Sequence, residues 1–404
     1  SSGETHLRPK NSYQAFPFIG VGAGRNMTAD VIKRRMAGQS VGDVSLSDAV
    51  VQTVGKNSHV TLFFRQTVTA EQLKPPTGAL LLSQQTVEGA SALTFLMPAA
   101  TDPVFQYGRD TFHLTPAKAE QDLFVGKNAI VATRNGESAA TVLDWLDYHV
   151  AHHQLEGVVL LDRAAPGTDS LFTARLDAGL QDRNLNCRIV VIDSDLPFGK
   201  HDLPAEAHPF NVPGAPGKDR MKVPDADLWL SPFAPLNWFE IIRLRFLGTA
   251  RAVANIDVHD LLIPGEQTVF DKAIEVETGV IGLVGRNCYP WRAQDVQNPK
   301  FADHICVQFD ADAQQKRWCV APAKTLGDTA WRLLRISNAS FDPNQSHSYF
   351  RHMALRHPTD SVSKIVPKTS LIEDQFLLDQ ARKYFRNKPV RAPKVKTKPV
   401  AKGR

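Results

Sequence analysis

Residues 128–162 read NAIVATRNGESAATVLDWLDYHVAHHQLEGVVLLD. The opening six, NAIVAT (128–133), are apolar or small and read as a buried strand. Ala139, Val142, Leu143, Leu146 and Val150 then recur at helical spacing over 138–153 and mark one apolar stripe of a helix. VVLLD (158–162) is a second apolar run that ends on a carboxylate. Strand, helix and strand in that order form the unit from which parallel sheets are assembled.

The same rhythm continues downstream. Thr168 and Asp169 can each cap a helix that carries Phe172, Leu176 and Leu180 on one face, and RIVVID (188–193) follows as a third strand. Residues 196–235 are rich in Pro and Gly and read as a long loop of the kind that serves function more often than packing. NWFEIIRLRFLG (237–248) reads as a helix ended by Gly248, and ARAVANID (250–257) as a fourth strand. The expected fold class is therefore α/β, with a doubly wound, mainly parallel sheet. Such sheets place ligands at the carboxyl ends of their strands, so Arg134, Asn135, Glu137, Asp162 and Asp257 are expected along one edge.

Upstream, HVTLFF (59–64), GALLLS (78–83) and ALTFLMP (92–98) are short apolar runs between Pro, Gly, Thr and Asn. They mark residues 1–122 as a β-rich accessory region. Gly20-Val21-Gly22-Ala23-Gly24, followed by a helix-like TADVIKRRM (28–36), hints at a dinucleotide fingerprint and hence at an oxidoreductase. The last glycine comes one residue early and the preceding FPFIG contains a proline, so a glycine-rich turn is the better account. The α/β unit occupies 123–366. A helix opened by the capping box Ser370-x-x-Glu373 fills 367–385, and a Lys/Pro-rich tail, 386–404, is expected to be disordered.

Composition narrows the class. The net charge of +5 is dominated by the tail, whose eight basic residues taken from 47 leave 39 against 42 acidic, a net −3. A mildly acidic body speaks against nucleic-acid binding. Four cysteines, Cys187, Cys288, Cys306 and Cys319, contain no C-x-x-C pair and read as reduced, mostly buried thiols. No apolar run approaches the ~18 residues of a membrane span, and SSGETHLRPK lacks the apolar core of a signal peptide. The expected location is cytoplasmic, with the basic tail able to hold the chain on an anionic membrane surface, at about 1 kcal/mol per nearby Lys or Arg.

Asp257-Val258-His259 sets a carboxylate and an imidazole two positions apart at a strand end, a spacing that lets a tight turn aim both at one divalent cation. An isolated D-x-H is usually a turn cap beside a surface histidine; its place after the fourth strand is what raises it. A cation there would grip a diphosphate, and the imidazole favours manganese over magnesium. Asp257 is expected at the strand's edge, outside the core. Asp260, Glu266, Glu277 and Asp303 follow as candidate carboxylate bases, of which Asp260 and Asp303 are preferred. Trp145 reads as a core aromatic and His149 either as a satisfied core histidine or as a site residue, while the cluster His149, His152 and His153, unable to ligate one metal together, reads as solvated surface.

Taken together, NAIVATRNGE (128–137), LDWLDYH (143–149), VVLLD (158–162), GRNCYPW (285–291), KRWCVAP (316–322) and FRHMALRHP (350–358) resemble bacterial glycosyltransferases similar to families 2 and 92. Those read strand, R/K-N-E, E-W-x-x-Y-H, strand-D and later I-D-x-D-E-F, and the likeness covers 123–366. The resemblance implies a GT-A-type fold, a nucleotide-diphosphate sugar as donor, with a UDP-sugar expected, and a glycan or lipid-linked acceptor. It places Arg134, Asn135, Glu137, Asp162, Trp291, His352 and Lys364 around the donor and the metal on Asp257 and His259. Three departures stand out: Asp257-Val258-His259-Asp260 replaces D-x-D-E, Gly136 interrupts Asn-x-Glu, and WRLLRI (331–336) carries no histidine where the family has one. The departures suit a second possibility, a transferase-like subunit that binds or scaffolds without catalysis.

Overall fold

The computed structural model describes residues 29–87, 90–163, 167, 169–196, 198, 237–290, 299–308, 315–325, 327–341, 344–356, 371–380 and 384–385. The expectations for Gly20–Gly24, Thr168, Trp291, Lys364, Ser370, the tail 386–404 and nearly all of 196–235 fall outside the described residues. The chain divides into two compact units, one of Ser1–Val258, Leu262–Val284 and Gln315–Ser348, the other of His259–Leu261, Gly285–Gln314 and Tyr349–Arg404.

The first unit contains a six-stranded sheet drawn from the β-rich region. Val44–Val54, Asn57–Phe64, Ala90–Pro98 and Leu80–Val87 pair antiparallel in that order, with Gln39–Val41 and Ala117–Lys118 against the first of them. Alternate residues bury Val60, Leu62, Leu93 and Phe95 in a core of their own, as the period-two pattern requires.

The strands of the large mixed sheet are numbered here in chain order: β1 (Asp30–Met36), β2 (Asn128–Arg134), β3 (Gly157–Asp162), β4 (Arg188–Ser194), β5 (Ala252–Asn255), β6 (Asp260–Leu262), β7 (Val280–Pro290), β8 (His304–Gln308), β9 (Gln315–Val320), β10 (Ser346–His352) and β11 (Leu371–Glu373). Within the first unit, β1, β4, β3, β2 and β5 lie side by side, all parallel. β9 then runs antiparallel to β5, with β7 beside it. In the second unit, β8 pairs antiparallel with the end of β7 and with β11. The sheet is α/β but mixed, since only its first five strands are parallel.

Two helices connect the parallel strands: α1 (Ala139–His153), capped by the Ser138 hydroxyl on the Thr141 amide, and α2 (Phe172–Arg183). Val131, Val159, Leu161, Val190, Ile192 and Val253 turn one face of the sheet towards Phe239, Ile242, Phe246 and Val50 in a single core. The residues between them face the other way by strand alternation, the side on which the usual right-handed crossover would set α1 and α2. Leu143 seats directly on Gly179, where an added Cβ would lie 2.1 Å from its methyl carbon.

Several expectations need correction. Residues 29–36 of the helix-like stretch are not helical: β1 pairs with β4 along its whole length, Asp30 Oδ1 accepts from Arg188 Nε at 2.8 Å, and this tertiary pairing overrides the local pattern. α2 starts after Leu171 without a side-chain cap, because the Asp169 carboxylate is held by Arg134 and Arg175. The helix from 238 runs α only over Trp238–Ile242 (α3) and finishes as a π-turn, Arg243–Leu247. Gln121 Nε2 donates to the Arg243 and Leu244 carbonyls there, and Gly248, at φ −64°, admits Gln121 where a Cβ would lie 3.1 Å from its Oε1. Glu373 lies in β11, and Asp374 caps the following Gln375–Gln380 helix by accepting from the Leu377 amide.

All four cysteines are buried and free, and burial pushes the Cys306 thiol up to about 11. Among the described residues no helix is long and apolar enough to cross a membrane.

Candidate active site

Along the sheet the chain moves from β2 to β3 to β4 in one direction and then returns to the far side of β2 as β5. The strand order therefore reverses between β2 and β5, the kind of position where open α/β sheets bind ligands beyond the carboxyl ends of the strands. Thr133 and Arg134 from β2, Asp162 from β3, Ser194 from β4 and Asp257 just past β5 share that edge.

Arg134 organises one part of it. Its side chain is almost fully buried, with Nη1 donating to both oxygens of Asp162 at 3.0 and 2.9 Å, Nη2 to Asp169 at 3.1 Å and Nε to the Glu137 carbonyl at 2.7 Å. The guanidinium lies over the Phe172 ring, 3.7 Å from its centroid. Gly136 takes φ +107°, a backbone form that favours glycine, and the turn it makes returns the Glu137 carboxylate onto the Asn135 amide. Asn135 Oδ1 accepts from Arg163 Nη1 at 2.8 Å. Thus Arg134, Asn135, Glu137 and Asp162 come together at this edge, and Gly136 has a conformational reason to stand between Asn135 and Glu137.

Asp257 is buried, contrary to its expected place outside the core. One carboxylate oxygen accepts from the Thr133 hydroxyl, and the other from Arg317 Nη2 at 3.0 Å. Thr133, Asp257 and Arg317 belong to the neighbouring strands β2, β5 and β9 or their ends, so one carboxylate ties three strands. Arg317 is itself buried, as an ion pair in such a setting requires.

Asp260 is fully buried and accepts a two-pronged bond from Arg351, Nε to Oδ1 at 2.9 Å and Nη2 to Oδ2 at 3.0 Å. His259 Nε2 lies 3.8 Å from Asp260 Oδ1. His352, expected near the donor phosphates, is buried; its backbone N–H and Nδ1 both reach the His259 carbonyl, at 2.9 and 3.1 Å. Burial, then the neighbouring His304 and His259, hold the His352 imidazole well below its usual range, so the ring is neutral. Asp303 is half-buried, and its carboxylate accepts from the Lys300 amide at 2.8 Å across a short turn, Phe301–Asp303. Glu266 and Glu277 are exposed.

Asp257, His259 and Asp260 each offer a ligand atom within 4.8 Å of the others, from a single tetrapeptide. A cation with bond lengths of about 2.0–2.6 Å spans donors roughly 4–5 Å apart, so the set fits a divalent ion in number and chemistry. Each carboxylate nonetheless already faces a buried arginine. Arg317 and Arg351 were absent from the expected site, although both show a readable signal: an arginine inside an apolar strand pattern, R-W-C-V and Y-F-R-H-M, needs a buried anion.

The α1 cluster differs from the solvated surface expected of it: His153 is buried, and His149 is buried in the manner of its core-histidine reading; with Tyr148 both reach Leu262. Trp145 is core, as expected. Compared with models of known protein families and with curated protein sequences, the chain matches none.

Two predictions follow from this burial. Asp257→Ala leaves Arg317 buried without its carboxylate and should cost about 3–5 kcal/mol in urea unfolding, whereas Asp257→Ala with Arg317→Met should recover most of the loss; a single variant as stable as the wild type contradicts the pair. Burial lowers the His149 imidazole well below 6.5, and those of His153 and His347 to about 4. The unfolded chain then binds more protons than the folded one. Stability is full above about 6.5 and falls towards 4, by up to ~1.4 kcal/mol per pH unit for each histidine. Asp48, raised to about 6 by burial, acts in the opposite sense, and one group does not offset three. Urea midpoints should drop between pH 7.5 and 5; equal midpoints would rule the effect out.

Proposed function

We propose that the chain is a glycosyltransferase of GT-A type that moves a sugar from a nucleotide-diphosphate donor, a UDP-sugar, to a glycan or lipid-linked acceptor. The observation that carries this reading is the buried Asp257-Val258-His259-Asp260 segment just past β5, where the strand order reverses. Arg134, Asn135, Glu137 and Asp162 share the strand-end edge with Asp257 and would frame the nucleotide.

Asp257 and His259, with Asp260, would hold a divalent cation, manganese before magnesium because of the imidazole. Such a cation supplies charge neutralisation for the diphosphate that departs from the sugar. Arg317 and Arg351 bear on how it binds. They already balance the two carboxylates, so a cation alone brings two uncompensated charges into a buried setting, which is costly. A diphosphate supplies the matching anion, and the reading is therefore one of cation and nucleotide binding together. Asp260 is committed to Arg351, which leaves it poorly placed to accept a proton from an acceptor hydroxyl. A cytoplasmic enzyme held by its basic tail at the inner membrane face fits a lipid-linked acceptor.

A second reading, a non-catalytic transferase-like subunit, draws on the same two arginines: each already donates to one of the two carboxylates. Turnover separates the two. Protein incubated with UDP-glucose, UDP-galactose and UDP-N-acetylglucosamine and manganese should release UDP slowly in water as acceptor, and lose that release in EDTA. No release from any UDP- or GDP-sugar would favour the non-catalytic subunit.

A further inference from the structure

Leu262 lies two residues beyond Asp260, is fully buried, and has both polar groups of its backbone bonded by side chains of α1. His149 Nε2 accepts from its N–H at 3.3 Å, while Tyr148 Oη and His153 Nε2 donate to its C=O at 2.9 and 3.2 Å. These bonds fix the two tautomers in opposite senses. An amide N–H can only donate, so His149 Nε2 carries no proton and its Nδ1–H donates to the Trp145 carbonyl at 2.8 Å. A carbonyl can only accept, so His153 carries its proton on Nε2.

The arrangement has a structural side and a positional one. β6 pairs with β10, and among the described residues no strand covers its other edge, so α1 covers it with side chains. The positional side concerns Asp257 and Leu262, which bracket the candidate metal segment. Asp257 is tied to Thr133 and Arg317, the Val258 amide reaches the Thr133 carbonyl at 3.4 Å, and Leu262 is tied to α1. The chain between these anchors is a short bridge with both ends held.

We propose that Tyr148, His149 and His153 are positioning residues that clamp Leu262 and so fix the conformation of the Asp257–Leu261 segment that carries the candidate ligands. A clamp of this kind preorganises ligands without touching them, the role that outer-shell groups play around metals. Only its bearing on ligand binding rests on the transferase reading; the clamp itself does not.

Hydrogen–deuterium exchange of the full chain at pH 7.5 tests it, read on peptides spanning 257–263 and, as a control, on β3 and β4. Tyr148→Phe and His149→Leu should each speed exchange at 257–263 by on the order of tenfold while leaving the control peptides unchanged. His149→Gln, whose amide oxygen can stand where Nε2 stands, should stay close to the wild type. Unaltered exchange at 257–263, equal acceleration throughout the chain, or a His149→Gln variant as fast as His149→Leu would each overturn the clamp. The same variants titrated with UDP and manganese should bind more weakly, with His149→Gln rescued. If the wild-type protein binds neither, the transferase reading fails while the exchange result still decides the clamp.

Discussion

The carboxylate of Asp257 is the point on which the site depends. It is buried, it is charged, and it stands where strand order reverses, so it must be paired; Thr133 and Arg317 supply the pairing from the strands on either side. The bond therefore does two things at once. It closes the carboxyl edge of the sheet across β2, β5 and β9, and it fixes the start of the segment that carries His259 and Asp260.

The same physics recurs wherever the site meets the interior. Asp260 is forked by Arg351, Asp162 by Arg134, and His149 and His153, both held below their usual range by burial, each turn one ring nitrogen to the Leu262 backbone. In a dry environment an unpaired charge is expensive, so the buried carboxylates Asp257 and Asp260 each arrive with an arginine. This dense pairing sets ligand geometry in advance.

The parallel half of the fold was legible in the sequence because its signals are local. NAIVAT, VVLLD and RIVVID are apolar runs between helical stripes, and β2, β3 and β4 lie over those residues. The gathering of Arg134, Asn135, Glu137 and Asp162 at one edge followed from strand direction alone. What stayed hidden depends on pairing at a distance. β1 is a strand because it zips onto β4, more than a hundred and fifty residues away, as in the Asp30–Arg188 pair. Asp257 and the α1 histidines are buried because elements remote in sequence close over them. Arg317 and Arg351 could have been noticed as charges inside apolar strands, but their partners could not be read from spacing. The antiparallel strands that make the sheet mixed are short or carry weak alternation, as in His304–Gln308 and Leu371–Glu373, and they offer little periodicity to read.

Joint binding of a divalent cation and a nucleoside diphosphate at the Asp257–Asp260 segment is the proposal to test first, by titration calorimetry of UDP into the full-length protein, once with manganese and once with EDTA. UDP should bind with manganese and little without it, and manganese alone should give weak heat, because Arg317 and Arg351 already pair the two carboxylates. UDP binding of equal strength in EDTA, or no UDP binding in manganese, would contradict it.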